Sequence, residues 1–215
     1  MKIIVFGATG GTGRLIVTQA LAKGHTVTAF ARNPEGMPSD PHLRVIKGDV
    51  FDFGAVVDAM HGHRAVLSAL GARTTKKSDV LVKAIPHILE GLRQEYVTRL
   101  IVLGAAGLHP DWSKYQNALT AMGLWIARKT ALKHPFIDQA AQERLLAASD
   151  VDYTIVRAPR LMDGPFTGNY HVLPDALPSG ALRVNRADVA DFMLQQLTDP
   201  RFHRQGPYIG AGSKV

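Results

Sequence analysis

The feature that most constrains this chain is a cluster of four glycines within seven residues, Gly7-Ala8-Thr9-Gly10-Gly11-Thr12-Gly13. It follows a short apolar run, Lys2–Phe6. It opens the stretch Thr12–Lys23, where Leu15, Ile16, Ala20 and Leu21 recur at helical spacing until Gly24 stops it. In such a strand–turn–helix the first glycine allows the tight turn and the second lets the backbone approach a pyrophosphate. The third lets the helix pack closely on the strand. The free amides and the positive end of the helix dipole then face an anion. The expected diphosphate cradle is therefore Gly7, Thr9, Gly10, Gly11, Thr12 and Gly13.

The rest of the chain repeats the theme. Apolar runs His25–Ala31, Leu43–Lys47, Ala65–Ala69, Arg99–Leu103 and Asp152–Arg157 are separated by helical patterns, with Asp52, Ser78 and Asn185 as expected caps. Two helices, Tyr115–Leu132 and Phe136–Ser149, are predicted with a break at His134-Pro135. Leu182–Val184 and Gly206–Ile209 close the list of strands. Strands that hardly alternate and are joined by single helices indicate a doubly wound parallel α/β sheet, of about seven strands, with helices on both faces. The length, 215 residues, suits one domain spanning 1–215 with a small C-terminal substrate-side lobe. Within it, 107–134 reads as a lid or interface insertion, or as a helix packed on the sheet. The proline-rich 158–180 reads as a substrate loop.

Charge narrows the function classes. Lys and Arg number 25 against 18 Asp and Glu, an excess of +7, yet no basic run exceeds two residues and no zinc-finger or RNA-binding pattern appears. Nucleic acid is not an expected partner; a phosphorylated small molecule accounts for the bias. No apolar run is long enough for a bilayer, and the start of the chain lacks an export-type cleavage region, so a soluble, cytoplasmic monomer or homodimer is expected. With no cysteine in the sequence, disulfide and thiolate chemistry are absent. His61-Gly62-His63 has no third ligand nearby at metal-site spacing and reads as a solvated turn, so no metal is expected.

The end of the second strand carries the cofactor choice. It reads Ala31-Arg32-Asn33, an arginine where an NAD site usually offers a carboxylate, and a guanidinium matches a 2′-phosphate. NADP is the expected cofactor.

The glycine turn, Arg32, Gly48-Asp49-Val50, Leu70-Gly71-Ala72-Arg73, Asp152–Leu161, Asp163–Gly168 and Val184–Phe192 together resemble an atypical short-chain dehydrogenase/reductase. Within that group the chain is similar to the biliverdin-IXβ/flavin reductase family and its NmrA-like relatives, over roughly residues 1–210. The resemblance implies that Asp49 and Val50 flank the adenine, Asp49 also being placed to cap a turn. It implies that Leu70, Gly71, Ala72, Arg73, Ala105 and Pro159 border the ribose and nicotinamide. It also shows two departures: alanine (Ala105, Ala106) and Arg160 stand where family members often carry a serine and a histidine.

The chemistry follows from what is missing. Four residues after Tyr96, Tyr115, Tyr153, Tyr170 and Tyr208 stand Leu100, Leu119, Arg157, Pro174 and Gly212, so the Tyr-x-x-x-Lys pair of alcohol dehydrogenation is lacking. A Gly-x-Ser-x-Gly elbow is lacking too. An acceptor that takes hydride into a conjugated ring and its proton from water suits such a chain. The protein then supplies positioning and stabilisation of developing negative charge. Arg160 and Arg73 are the candidates for that electrostatic role. Trp112, Tyr115, Trp125, Phe136 and Arg160 are candidates for the pocket of a flat aromatic substrate. The alternative is a non-catalytic NADP-binding redox sensor of the NmrA-like type, docking a protein through 107–134.

Overall fold

The computed structural model describes residues 1–72, 78–108, 122, 123, 126, 130, 133–177 and 181–212. Its elements, in chain order, are β1 (Lys2–Phe6), α1 (Gly11–Ala22), β2 (Thr26–Ala31), β3 (Leu43–Lys47), α2 (Phe53–Met60), β4 (Ala65–Ser68), α3 (Val80–Gln94) and β5 (Arg99–Ala105). There follow α4 (Lys133–Ala147), β6 (Asp152–Ala158), β7 (Arg160–Met162), β8 (Tyr170–Leu173), β9 (Arg183–Asn185), α5 (Arg186–Gln195) and β10 (Tyr208–Ala211).

Eight strands form one sheet in the order β3-β2-β1-β4-β5-β6-β10-β8, and β7 and β9 form a separate parallel ribbon. All neighbours in the large sheet run parallel except β10 and β8. Successive side chains of a strand point to opposite faces, so β1 splits its apolar residues between two cores. Ile3 and Val5 pack with Ile16, Val17 and Ala20 of α1 and with Val189, Ala190 and Met193 of α5. Ile4 and Phe6 pack with Val56 and Met60 of α2, with Ile85 and Ile88 of α3, and with Leu146 of α4. Burial on both faces is why the central strands read as unbroken apolar runs. Among the described residues no helix is long and apolar enough to cross a membrane.

The doubly wound α/β class expected from the sequence is the one observed, with four differences of detail. The sheet has one strand more than expected, because Tyr170–Leu173 inside the proline-rich segment pairs antiparallel with Tyr208–Ala211; four residues carry too little pattern to reveal a strand whose partner lies far along the chain. Helix α4 begins at Lys133, with Pro135 in its first turn, where the missing amide costs no hydrogen bond. Asp52 caps α2 as expected, accepting from the amide of Ala55 at 3.1 Å, whereas Asn185 holds the N-cap position of α5 without a side-chain cap bond and donates instead to the Pro165 carbonyl. Finally, His61-Gly62-His63 is not a solvated turn throughout. His61 is exposed and pairs with Glu95, but His63 is buried, bonded to Thr28 Oγ1 at 2.8 Å and to the Met60 carbonyl at 3.0 Å. The helix predicted at Tyr115–Leu132 lies almost entirely outside the described residues.

Candidate functional site

The sheet changes winding direction between β1 and β4, and a cleft of about 1490 Å³ opens at the carboxyl ends of the strands there. This is where open parallel α/β sheets hold ligands.

The glycine turn forms one wall, through Gly7, Thr9, Gly10, Gly11 and Thr12. Gly7 has φ +73°, and a Cβ on it would stand 2.8 Å from the carbonyl of Ala69, so only glycine fits between β1 and the chain leaving β4. Gly13 does not reach the cleft wall; a Cβ there would overlap the carbonyl oxygen of Gly7. Its role is the close approach of α1 to β1. The amide of Gly10 donates to Gly7 and that of Arg14 to Gly10. The amides of Gly11, Thr12 and Gly13 open the helix and have no acceptor among the described residues. No side chain caps this end. Three free donors at the positive end of a twelve-residue helix, beside Gly7 and Gly13, which side chains cannot replace, fit a diphosphate.

At the far side of β2 stand Arg32 and Asn33. Arg32 is exposed and makes no hydrogen bond or ion pair among the described residues. The neighbouring Arg14 is committed elsewhere, donating to the carbonyls of Thr9, Glu35 and Gly36 at 3.2, 3.0 and 2.6 Å. Arg14 thus straps the loop after β2 to the glycine turn, and Arg32 beside it is left uncommitted among the described residues. Across from it, Asp49 and Val50 line the cleft at the end of β3. Asp49 accepts from the amide of Phe51 at 3.0 Å, which fixes that corner while leaving its carboxylate on the wall. Gly48 adds a constraint the sequence did not flag: a Cβ there would run into the Phe30 ring, itself part of the wall.

The other end of the cleft is apolar. Leu70, Gly71 and Ala72 follow β4, Ala105 ends β5, and Pro159 and Arg160 follow β6. Phe136 of α4 and Leu177 close it. Gln142 of α4 donates to the carbonyl of Leu103 at 3.1 Å and so fixes α4 against the end of β5. Arg160 is exposed and, like Arg32, has no side-chain partner among the described residues. Arg73, Trp112, Tyr115 and Trp125 lie outside the described residues, as does most of 107–134.

Two wall residues escaped sequence reasoning. Asp138 of α4 is buried and caps α3 from outside the helix, accepting the amides of Leu81 and Val82 at 3.1 and 3.0 Å. Ser78, the expected cap, reaches the Val80 amide only at 3.4 Å; the stronger acceptor comes from a helix about 60 positions away in sequence. Arg186, first residue of α5, lies over Gly11 of the glycine turn. Neither has a local sequence signal, because each role is defined by a neighbour distant in the chain.

Among the described residues the cleft wall contains no tyrosine, lysine, histidine or serine. Asp138 has both oxygens bonded to α3 and Ser78, so it is placed as a structural cap and not as a proton carrier. What remains is a dinucleotide-sized slot with arginines at its ends and an apolar floor.

The sequence profile of a family described as NAD(P)H-binding matches residues 7–200. An uncharacterized chloroplastic protein of Arabidopsis thaliana is 28% identical over 214 residues, covering 91% of this chain and 71% of that protein. A structure from Streptococcus pneumoniae, described as a candidate NADH-flavin reductase, superposes with a TM-score of 0.80 at 25% identity, covering 98% of this chain and 99% of that one. A short-chain dehydrogenase/reductase from Veillonella parvula, crystallised with NADP, shares the fold with a TM-score of 0.82 at 18% identity, covering 99% of this chain and 95% of that one.

Proposed function

The chain belongs to the NAD(P)H-binding family, and from that premise we propose that it is an NADPH-dependent reductase of a flat conjugated acceptor, flavin-like or quinone-like. The single observation that carries this reading is the composition of the cleft wall: an uncommitted Arg32 at the 2′-phosphate end and no side chain able to shuttle a proton at the other, among the described residues. Bound there, the nicotinamide would supply a hydride. The chain's own residues supply the rest. The amides of Gly11, Thr12 and Gly13 hold the diphosphate, Arg32 distinguishes the additional phosphate, and Asp49 and Val50 border the adenine. Leu70–Ala72, Ala105 and Pro159 leave an apolar surface against which a planar ring system can lie. Arg160 stabilises negative charge arriving on the acceptor. A guanidinium stays protonated at neutral pH, so Arg160 cannot serve as general acid; acceptors that need no proton from the protein are those the site suits. The flavin-reductase description of the S. pneumoniae neighbour supports the flavin-like acceptor; that neighbour is described with NADH, so the choice of NADPH rests on Arg32.

The test is calorimetric titration with NADPH and NADH, followed by nicotinamide absorbance with FMN, riboflavin and a simple quinone as acceptors. Tighter NADPH binding with turnover of at least one acceptor is expected. Tight NADPH binding without turnover of any of them would select the redox-sensor alternative, and binding of neither dinucleotide would sink both.

A further inference from the structure

We infer that Arg186 is a diphosphate-binding residue, and that it exchanges an ion pair with Asp163 for the cofactor, so that dinucleotide binding releases the segment next to Arg160. The inference rests on the dinucleotide reading above and assigns to it a residue outside the glycine motif.

The placement is specific. A Cβ on Gly11 would stand 2.9 Å from both Cδ and Nε of Arg186. The arginine therefore occupies the space that a side chain at position 11 would need, with its guanidinium group beside the amides that open α1. Three contacts along the two helices fix α5 against α1. Gln19 Nε2 donates to the Ala187 carbonyl at 2.9 Å, Lys23 pairs with Asp191 at 2.8 Å, and Val189 and Ala190 pack into the core shared with Ile16 and Ala20. Arg186 sits at the start of α5, where its backbone is held and only its side chain is free to turn. It lines the same cleft as Gly10 and Thr12.

In this structure the guanidinium donates to Asp163 Oδ1 at 2.6 Å, and the carboxylate is 89% exposed. The pair continues the register of the small ribbon: Arg160 pairs with Arg183, Leu161 with Val184 and Met162 with Asn185, so positions 163 and 186 come next. An ion pair this exposed contributes little, because water and salt screen it. A diphosphate carries more charge than one carboxylate and would meet Arg186 together with three oriented amides. It is the stronger partner. The loop that carries Asp163 keeps a second anchor when the first is lost. Buried Asp188 of α5 accepts from the amide and hydroxyl of Thr167, both at 2.8 Å, and from the amide of Gly168 at 3.1 Å. Asn185 Nδ2 also donates to the Pro165 carbonyl at 3.1 Å, so release of Asp163 loosens only Asp163 and Gly164, next to β7. Arg160 lies at the other end of β7, about 10 Å away at strand spacing, so the change at the phosphate is felt beside the acceptor.

The experiment titrates the purified full chain with NADP⁺, NAD⁺, ADP and adenosine 2′-monophosphate by calorimetry, in wild type, Arg186→Gln, Asp163→Asn, the double variant and Arg32→Glu, each checked by thermal melt. Arg186→Gln should weaken NADP⁺, NAD⁺ and ADP by about 10- to 100-fold, the range for a lost charge-assisted bond, and leave adenosine 2′-monophosphate within about twofold. Arg32→Glu should show the reverse selectivity, weakening the 2′-phosphate ligands and sparing ADP. Asp163→Asn should tighten ADP by about two- to fivefold, and that gain should vanish in the Arg186→Gln background. Unchanged ADP affinity in Arg186→Gln, or an equal loss for adenosine 2′-monophosphate, overturns the assignment. Wild-type affinity in Asp163→Asn overturns the exchange. If the wild type itself binds no dinucleotide, it is the proposed function that fails. Amide ¹⁵N relaxation gives a readout independent of affinity: saturating NADP⁺ should raise the mobility of Asp163 and Gly164 in the wild type and leave it unchanged in Arg186→Gln.

Discussion

A Cβ on Gly13 would stand 2.8 Å from the carbonyl carbon of Gly7, closer still to its oxygen, so the first helix rests directly on the backbone of the turn that precedes it. Nothing flexible separates the two. The overlap is backbone against backbone, and relief requires α1 to move away from β1.

Gly13→Ala is accordingly expected to cost about 3 kcal/mol, the upper range for overpacking a tight site, which for a chain of this size lowers Tm by about 6–12 °C. Because the shift of α1 carries the free amides with it, dinucleotide affinity should fall as well. A thermal melt within about 2 °C of wild type would show that the turn is looser than its geometry states.

Arg32→Glu separates the two nicotinamide cofactors. The substitution replaces a cation that has no partner among the described residues with a carboxylate suited to a ribose hydroxyl. Affinity for NADPH should fall about 100-fold while that for NADH stays level or rises. Parallel calorimetric titrations decide it; an equal change for both would remove Arg32 from the 2′-phosphate site.

Asp138 is expected to be worth more to stability than its own helix suggests. Asp138→Ala strips the acceptor from the buried amide of Leu81 and the partly buried amide of Val82, a loss of about 2–4 kcal/mol. Asp138→Asn, which keeps one oxygen, should lose less. Ser78→Ala should stay within about 0.5 kcal/mol. Denaturant unfolding of the three variants gives the ranking, and a Ser78 effect as large as that of Asp138 would reverse the assignment of the cap.

Stability should decline on the acid side of neutrality. Burial pushes the pKa of His63 below its ordinary 6.5, and the charges of Lys2 and Arg44 act in the same direction against the bond to Met60. Burial lowers His25 as well. In the folded chain these rings stay neutral where the unfolded ones take up protons. The unfolded state therefore binds more protons between the folded pKa and 6.5, and stability rises with pH across that window. It is complete above 6.5 and is lost as pH falls towards the folded values. The neutral ring also explains the bonds: Nδ1–H donates to Met60 while Nε2 accepts the Thr28 hydroxyl. Urea midpoints at successive pH values should show this slope, reduced in His63→Gln; an unchanged slope in that variant would acquit His63.

The amino-acid sequence by itself determined the alternation of strands and helices, the glycine turn between β1 and α1 and Arg32 at the end of β2, because each of these is written within a window of about 15 residues as periodicity, glycine placement or a single charge. The tertiary structure alone decided that Tyr170–Leu173 is a strand, that Asp138 caps α3, that His63 is buried and that Arg186 lies on Gly11. In each of these cases the partner lies tens of residues away, and a short polar or mixed segment shows no pattern until the fold brings that partner within bonding distance. Most of 107–134 and Arg73, which the sequence offered as lid and electrostatic candidates, fall outside the described residues. The division is physical: backbone propensity and turn chemistry are local quantities, whereas hydrogen bonds and ion pairs between elements depend on the distances that packing sets.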